Sequence, residues 1–158
     1  MFKKIKPFII PVLIPLAVGG LSALLTKDNM SIYDEIKRPP LSPPMIVFPI
    51  TWSILYVLMG ISSGLVCQKY KEQSEDVLDA LLTYALTLFM NFFWTILFFN
   101  MKSFLFAFIW LLIMWGLILK NIFQYRKVDK LAANLQWPYF IWTTFAAYLN
   151  FGIYWLNR

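Results

Sequence analysis

Charged residues in this chain are gathered into short clusters, and between them lie five charge-free runs at positions 7–26, 39–68, 80–101, 103–119 and 131–157. The runs are 20, 30, 22, 17 and 27 residues long. About 20 largely apolar residues carry a helix across the hydrocarbon core of a bilayer, and a lone charge at its centre costs about 2.5 kcal/mol or more. The pattern predicts an all-α, single-domain integral membrane bundle of five transmembrane helices, at about 5–26, 45–67, 77–99, 103–125 and 131–156. Helices are required because lipid offers the backbone no hydrogen-bond partner. The alternating ten-residue segments of a barrel are absent.

The 20-residue first run follows Lys3, Lys4 and Lys6 without a small-residue cleavage pattern before Lys27, so it reads as a retained helix rather than a signal peptide. Pro7, Pro11 and Pro15 fall on one face of it and are expected to bend it, and Gly19 and Gly20 permit close approach of a neighbour. The connection at 27–44 is the longest and reads as a lid. Ser31 followed by Asp34 predicts a capping-box start to a short helix through about Lys37, and the segment from Pro39 to Pro44 predicts a stiff extended path. Its Pro40-x-x-Pro43 spacing formally fits an SH3 ligand, a partner unexpected on an outer face. Gly60-Ile-Ser-Ser-Gly64 predicts tight helix packing, either inside the bundle or in a homodimer. The turn at Asn100 to Ser103 predicts a helical hairpin.

Nine of the 14 Lys and Arg residues lie on the side of the N-terminus, five on the other. The positive-inside rule then places the N-terminus in the cytoplasm, with the first loop and the C-terminus outside. The net charge of +6 is scattered over helix ends, which suits anionic membrane lipid and not nucleic acid.

Composition narrows the chemistry. The residues are 60% apolar and 19% aromatic. No histidine is present, which removes the commonest general base, metal ligand and haem axial ligand together. Cys67 is the one cysteine and reads as an apolar filler; no metal site and no required cofactor are expected. Ion-coupled carriers use ionisable groups inside the membrane, and here the spans have none.

What the spans do contain is tryptophan and amides. Trp110, Trp137 and Trp155 suit interfacial positions, and Trp115 suits a lipid or neighbour contact. Trp52 and Tyr56 share a face of the second predicted span, Asn91 and Trp94 a face of the third, and Trp142, Ala146 and Asn150 follow at four-residue steps in the fifth. Alternation of direction brings all three sets to one leaflet beneath the lid. They form either an aromatic cavity suited to a small flat ligand, with the amides orienting it, or a solid core in which Asn91 and Asn150 bond between helices.

Three ordered stretches, Trp52-x-x-Leu55-Tyr56-x-x-Met59-Gly60, Asn91-x-x-Trp94-x-x-Leu97-Phe98-Phe99 and Pro138-Tyr139-x-x-Trp142-x-x-Phe145-Ala146-x-x-Leu149-Asn150, resemble the translocator protein, or peripheral-type benzodiazepine receptor, family. Its bacterial members are called tryptophan-rich sensory proteins. The resemblance implies a five-helix bundle, often dimeric, in a bacterial cell membrane. It also implies that porphyrins, haem-like tetrapyrroles and isoquinoline or benzodiazepine-type ligands bind under the first loop, with Tyr33, Pro43, Pro44, Trp52, Tyr56, Asn91, Trp94, Trp142 and Ala146 lining the pocket. Light-dependent porphyrin breakdown, with Trp52 and Trp142 taking part, is implied for bacterial relatives. The chain departs from the family pattern at Ile32 and Leu41, where loop tryptophans are usual, and at Thr87, where a glutamine is usual. The alternatives are a transporter of small amphiphiles and a structural protein that assists assembly. Leu149, Tyr154 and Arg158 fit a loose cholesterol-recognition pattern that random helix ends often match, so sterol binding is not inferred.

Overall fold

The computed structural model describes residues 2–158, with side chains from Lys6 onward, and every regular element among them is helical. Five long helices, α1 (Phe2–Thr26), α3 (Val47–Gln68), α4 (Ser74–Thr95), α5 (Phe104–Val128) and α6 (Lys130–Asn157), make the bundle, and α2 (Ile32–Glu35) is a short helix within the lid. Four segments, Lys6–Asn29, Val47–Gln68, Ser74–Asn100 and Phe104–Val128, are long and apolar enough to cross a membrane. The 28 residues of α6 are long enough but fall short in hydropathy, because Asn134, Gln136, Thr143, Thr144 and Asn150 interrupt an otherwise apolar helix.

Neighbour contacts close the five long helices into a ring in the order α1, α3, α6, α5, α4. Below, the lid end is where α1 finishes, α3 begins and α6 finishes. Away from it, the core is held by side-chain hydrogen bonds between helices. Ser62 donates to the Ala132 carbonyl at 2.7 Å and accepts from Gln136 Nε2 at 3.2 Å, while Asn121 Nδ2 donates to the Ala80 carbonyl at 2.8 Å. Small polar side chains serve this purpose between membrane helices, where hydrophobicity alone cannot hold apolar surfaces together.

The α1–α3 contact explains both the prolines and the Gly60-x-x-x-Gly64 pattern. The helix continues through Pro7, Pro11 and Pro15. Pro15 has no N–H for the Pro11 carbonyl, and that carbonyl lies against Gly60, 2.7 Å from where a Cβ would stand. A Cβ on Gly60 would also lie 2.4 Å from Val12 Cα, and one on Gly64 would lie 2.7 Å from the Phe8 ring. The two glycines are therefore spent on α1, and any homodimer uses another face.

Three local expectations are corrected. The stretch from Pro39 to Pro44 is not extended throughout but turns at Leu41, which takes φ 68°, with the Ser42 hydroxyl donating to the Pro39 carbonyl at 2.7 Å. Ser31 precedes α2 with αR backbone angles and its side chain makes no capping bond, because a 3₁₀ turn over Lys27–Asn29 already delivers the chain into α2, which ends at Glu35 and not near Lys37. The third long helix does not stop near residue 99 as α-helix but widens into a π turn at Ile96–Asn100, where Met101 N–H reaches the Ile96 carbonyl at 3.0 Å. The α5–α6 junction is sharper than composition suggests. Asp129 alone is extended, and its carboxylate caps α6 by accepting from Ala132 N–H at 2.8 Å.

The lid is tied down at several points. Lys37 and Asn157 exchange two bonds, backbone N–H to Oδ1 at 3.0 Å and Nδ2 to backbone carbonyl at 2.8 Å. Tyr148 donates to the Pro40 carbonyl at 2.8 Å, and the Pro39 ring occupies the space a Cβ on Gly152 would need. At its other end, Asn29 Nδ2 donates to Asn100 Oδ1 at 2.9 Å. Within it, Ile32 and Tyr33 of α2 are buried.

Candidate functional site

Beneath the lid the bundle is hollow. A cavity of about 570 Å³ lies between α1, α3, α4 and α6, within the size range of sites for small molecules. Trp52 and Tyr56 form one wall, their rings stacked at 5.5 Å and 28°. Trp94, Phe98 and Phe99 form another, and Ala146, Leu149, Asn150 and Ile153 a third, with Tyr33 contributing to the roof. The described lining holds no Asp, Glu, Lys or Arg.

Of the residues singled out in the sequence, Tyr33, Trp52, Tyr56, Trp94, Ala146 and Asn150 line this cavity, and Pro43, Pro44, Asn91 and Trp142 do not. Pro43 acts through its backbone, accepting from Tyr33 OH at 2.9 Å and so fixing the roof. Pro44 faces a shallow depression on the lid with Asp34, Arg38 and Leu41. Asn91 lies below the floor, accepting from Tyr56 OH at 3.3 Å and donating to Tyr139 OH at 3.3 Å. Trp142 is half-buried behind Phe48, edge to face at 5.9 Å, and Phe48 rather than Trp142 meets the cavity.

Both amides are committed to the protein. Asn150 accepts from Trp94 Nε1 at 3.0 Å and donates to the Phe104 carbonyl at 2.8 Å, which ties α4, α5 and α6 together. Hollow and bonded interior therefore coexist: the aromatic faces are free, and the polar tips are occupied. Trp110 and Trp115 are used in the same way, donating to the Met90 carbonyl and to Thr144 Oγ1, each at 2.8 Å.

The wall that sequence reasoning missed is α1. Leu16, Gly19, Gly20, Ser22, Ala23 and Thr26 line the cavity. Gly19 is required there, because a Cβ would stand 2.1 Å from Tyr56 Cε2. The signal was present in the small residues Gly19, Gly20, Ser22 and Ala23, which read as a close helix contact and not as the side of a hollow.

Among the described residues no group of three or more Cys, His, Asp or Glu side chains is placed to hold an ion. The cavity offers instead stacking surfaces and shape.

The chain has similar relatives among known proteins. The chain is 32% identical over 158 residues to the tryptophan-rich protein TspO of Chlorobaculum tepidum, covering 99% of each chain. It is 36% identical over 141 residues to the tryptophan-rich sensory protein of Cereibacter sphaeroides, covering 89% of this chain and 85% of that one. To the translocator protein of Ovis aries it is 32% identical over 126 residues, covering 80% and 75%. The model of the TspO/MBR family matches residues 11–156, and with nearly the whole chain accounted for, this all-helical membrane protein belongs to the TspO/MBR family.

Proposed function

We propose that this protein is a receptor-type membrane protein that binds a porphyrin, or another flat aromatic molecule of the isoquinoline or benzodiazepine kind, in the cavity beneath its lid. The observation that carries the reading is the cavity itself: about 570 Å³, uncharged, and faced by the rings of Trp52, Tyr56 and Trp94. Flat apolar ligands gain most from such walls, through area removed from water and through ring stacking. Light-dependent breakdown of a bound porphyrin is a second step that the same site would support, with the Trp52 indole at the cavity wall giving one electron to the photoexcited macrocycle and dissolved dioxygen serving as the terminal oxidant.

In this reading α6 is a fifth span. Its residues 131–157 carry no charge, and it packs along α5, which is apolar enough to cross on its own. The N-terminus is cytoplasmic and the lid lies outside, as the distribution of Lys and Arg directs.

Titration of the purified protein with protoporphyrin IX in dim light tests the binding. Saturable quenching of tryptophan fluorescence is expected, with weaker affinity in Trp52→Phe. Quenching that rises linearly without saturation overturns the proposal.

A further inference from the structure

The cavity is closed on most sides and open on one. On α4, the following π turn and α6, the lining residues Trp94, Phe98, Phe99, Ala146, Leu149 and Asn150 are all buried, although each borders the hollow. On α1, and on α3 with the residue that precedes it, the lining includes Gly20, Ala23, Ile46, Pro49 and Ser53, and these are exposed. Bordering the hollow does not by itself expose a residue, so the exposure marks a gap between the lid-end halves of α1 and α3.

The geometry of the two helices accounts for the gap. At the far end they are clasped by Gly60 and Gly64, which admit the backbone of Val12 and the ring of Phe8. At the lid end Gly20 has no atom within 4 Å of its Cβ position. Gly19 still meets the Tyr56 ring across the seam, so the opening lies between that contact and the lid, beside Gly20 and Ala23. The gap lies at membrane depth, since α1 and α3 are both of spanning length and hydropathy. The way from the water above is shut by Ile32 and Tyr33, by the Lys37–Asn157 pair and by Tyr148.

We infer that the cavity is loaded sideways from the bilayer, through the gap between Gly20 and Ala23 on α1 and Ile46, Pro49 and Ser53 at the start of α3, and that the part of the ligand that passes is uncharged. This rests on the binding proposed above and adds its route and the chemical class of the molecule. The gap and the lining carry no group that could pair an ion, and an unpaired charge at this depth is expensive. A porphyrin dicarboxylate would pass ring first, with its acid edge left at the headgroups. A neutral, lipid-dissolved macrocycle would pass in any orientation.

The test uses the full chain in proteoliposomes, with tryptophan quenching followed by stopped flow. For the unaltered protein at fixed total protoporphyrin IX, the loading rate should follow the mole fraction of the macrocycle in the lipid and fall as more lipid is added. Ala23→Leu with Ser53→Leu should slow association and dissociation alike, by about fivefold or more, whereas unpinning the lid with Asn157→Ala and Tyr148→Phe should leave both within about twofold. The dimethyl ester should bind at least as tightly as the free acid at equal mole fraction. Loading that follows aqueous concentration, lid variants that speed it, or tenfold tighter binding of the free acid would each overturn lateral loading. Saturable quenching with those results leaves the site and removes only the route, while absence of saturable quenching in the unaltered protein removes both.

Discussion

Trp94 and Asn150, 56 residues apart in sequence, meet at 3.0 Å, with the indole N–H of α4 donating to the carboxamide oxygen of α6 while the amide nitrogen holds the Phe104 carbonyl of α5. One side chain thereby joins three helices at the edge of the cavity. Asn150→Leu keeps the volume and strands both partners, and an unpaired buried group costs about 1–3 kcal/mol, moderated in membranes where interhelical bonds average about 0.6 kcal/mol. A loss of about 1–2 kcal/mol is expected in unfolding by denaturing detergent. Combining it with Trp94→Phe should cost less than the sum of the two single changes.

Three glycines on the α1–α3 face should respond differently to the same methyl group. Gly60→Ala meets backbone at Val12, which no rotamer change relieves, and should destabilise by about 1–3 kcal/mol. In Gly19→Ala the methyl group meets the Tyr56 ring, so the loss should fall on ligand affinity as that ring is pushed across the cavity. Gly20→Ala meets nothing and should be neutral or stabilising by up to about 1 kcal/mol through helix propensity. Thermal unfolding beside a porphyrin titration separates the three.

Trp52 and Trp142 should separate in function. Trp52 borders the hollow, and Trp142 stands behind Phe48. Trp142→Phe should leave porphyrin affinity within about threefold, as expected for a change outside the contact surface, while Trp52→Phe weakens it further. Under illumination, loss of porphyrin absorbance should slow more in Trp52→Phe than in Trp142→Phe.

The turn of the lid holds Leu41 at φ 68°, a left-handed conformation costing a non-glycine residue about 1–2 kcal/mol, and its side chain is 81% exposed. Leu41→Gly relieves the strain and loses little contact. Slightly raised thermal stability, by about 1 kcal/mol or less after the entropy of glycine is counted, is the expected result.

The five long helices could be read from the charge-free runs because lipid leaves the backbone so few alternatives. Trp52, Tyr56 and Trp94 could be placed because aromatic residues at helical spacing mark a face. Spacing failed where depth and drift matter. A four-residue step overshoots one turn by about 40°, so Trp142 lies about 80° around α6 from Asn150 and turns out of the hollow. Asn91 is about 4.5 Å deeper along its helix than Trp94 and passes beneath the floor. The α1 wall was hidden for a different reason: glycine, serine and alanine have the same pattern whether they admit a neighbouring helix or leave a space.

If the cavity takes a ligand as proposed, the spent amides decide what kind of discriminator it can be. A site with waiting donors and acceptors rejects a molecule that lacks the matching groups by several orders of magnitude, whereas a contoured apolar slot separates near neighbours by only about 1–3 kcal/mol per methylene. With Asn91 and Asn150 turned toward Tyr56, Tyr139, Trp94 and Phe104, outline and thickness are what remain to be sensed. Chemically unrelated planar compounds should therefore compete for the same berth, each tolerated to the extent that it matches the width of the slot.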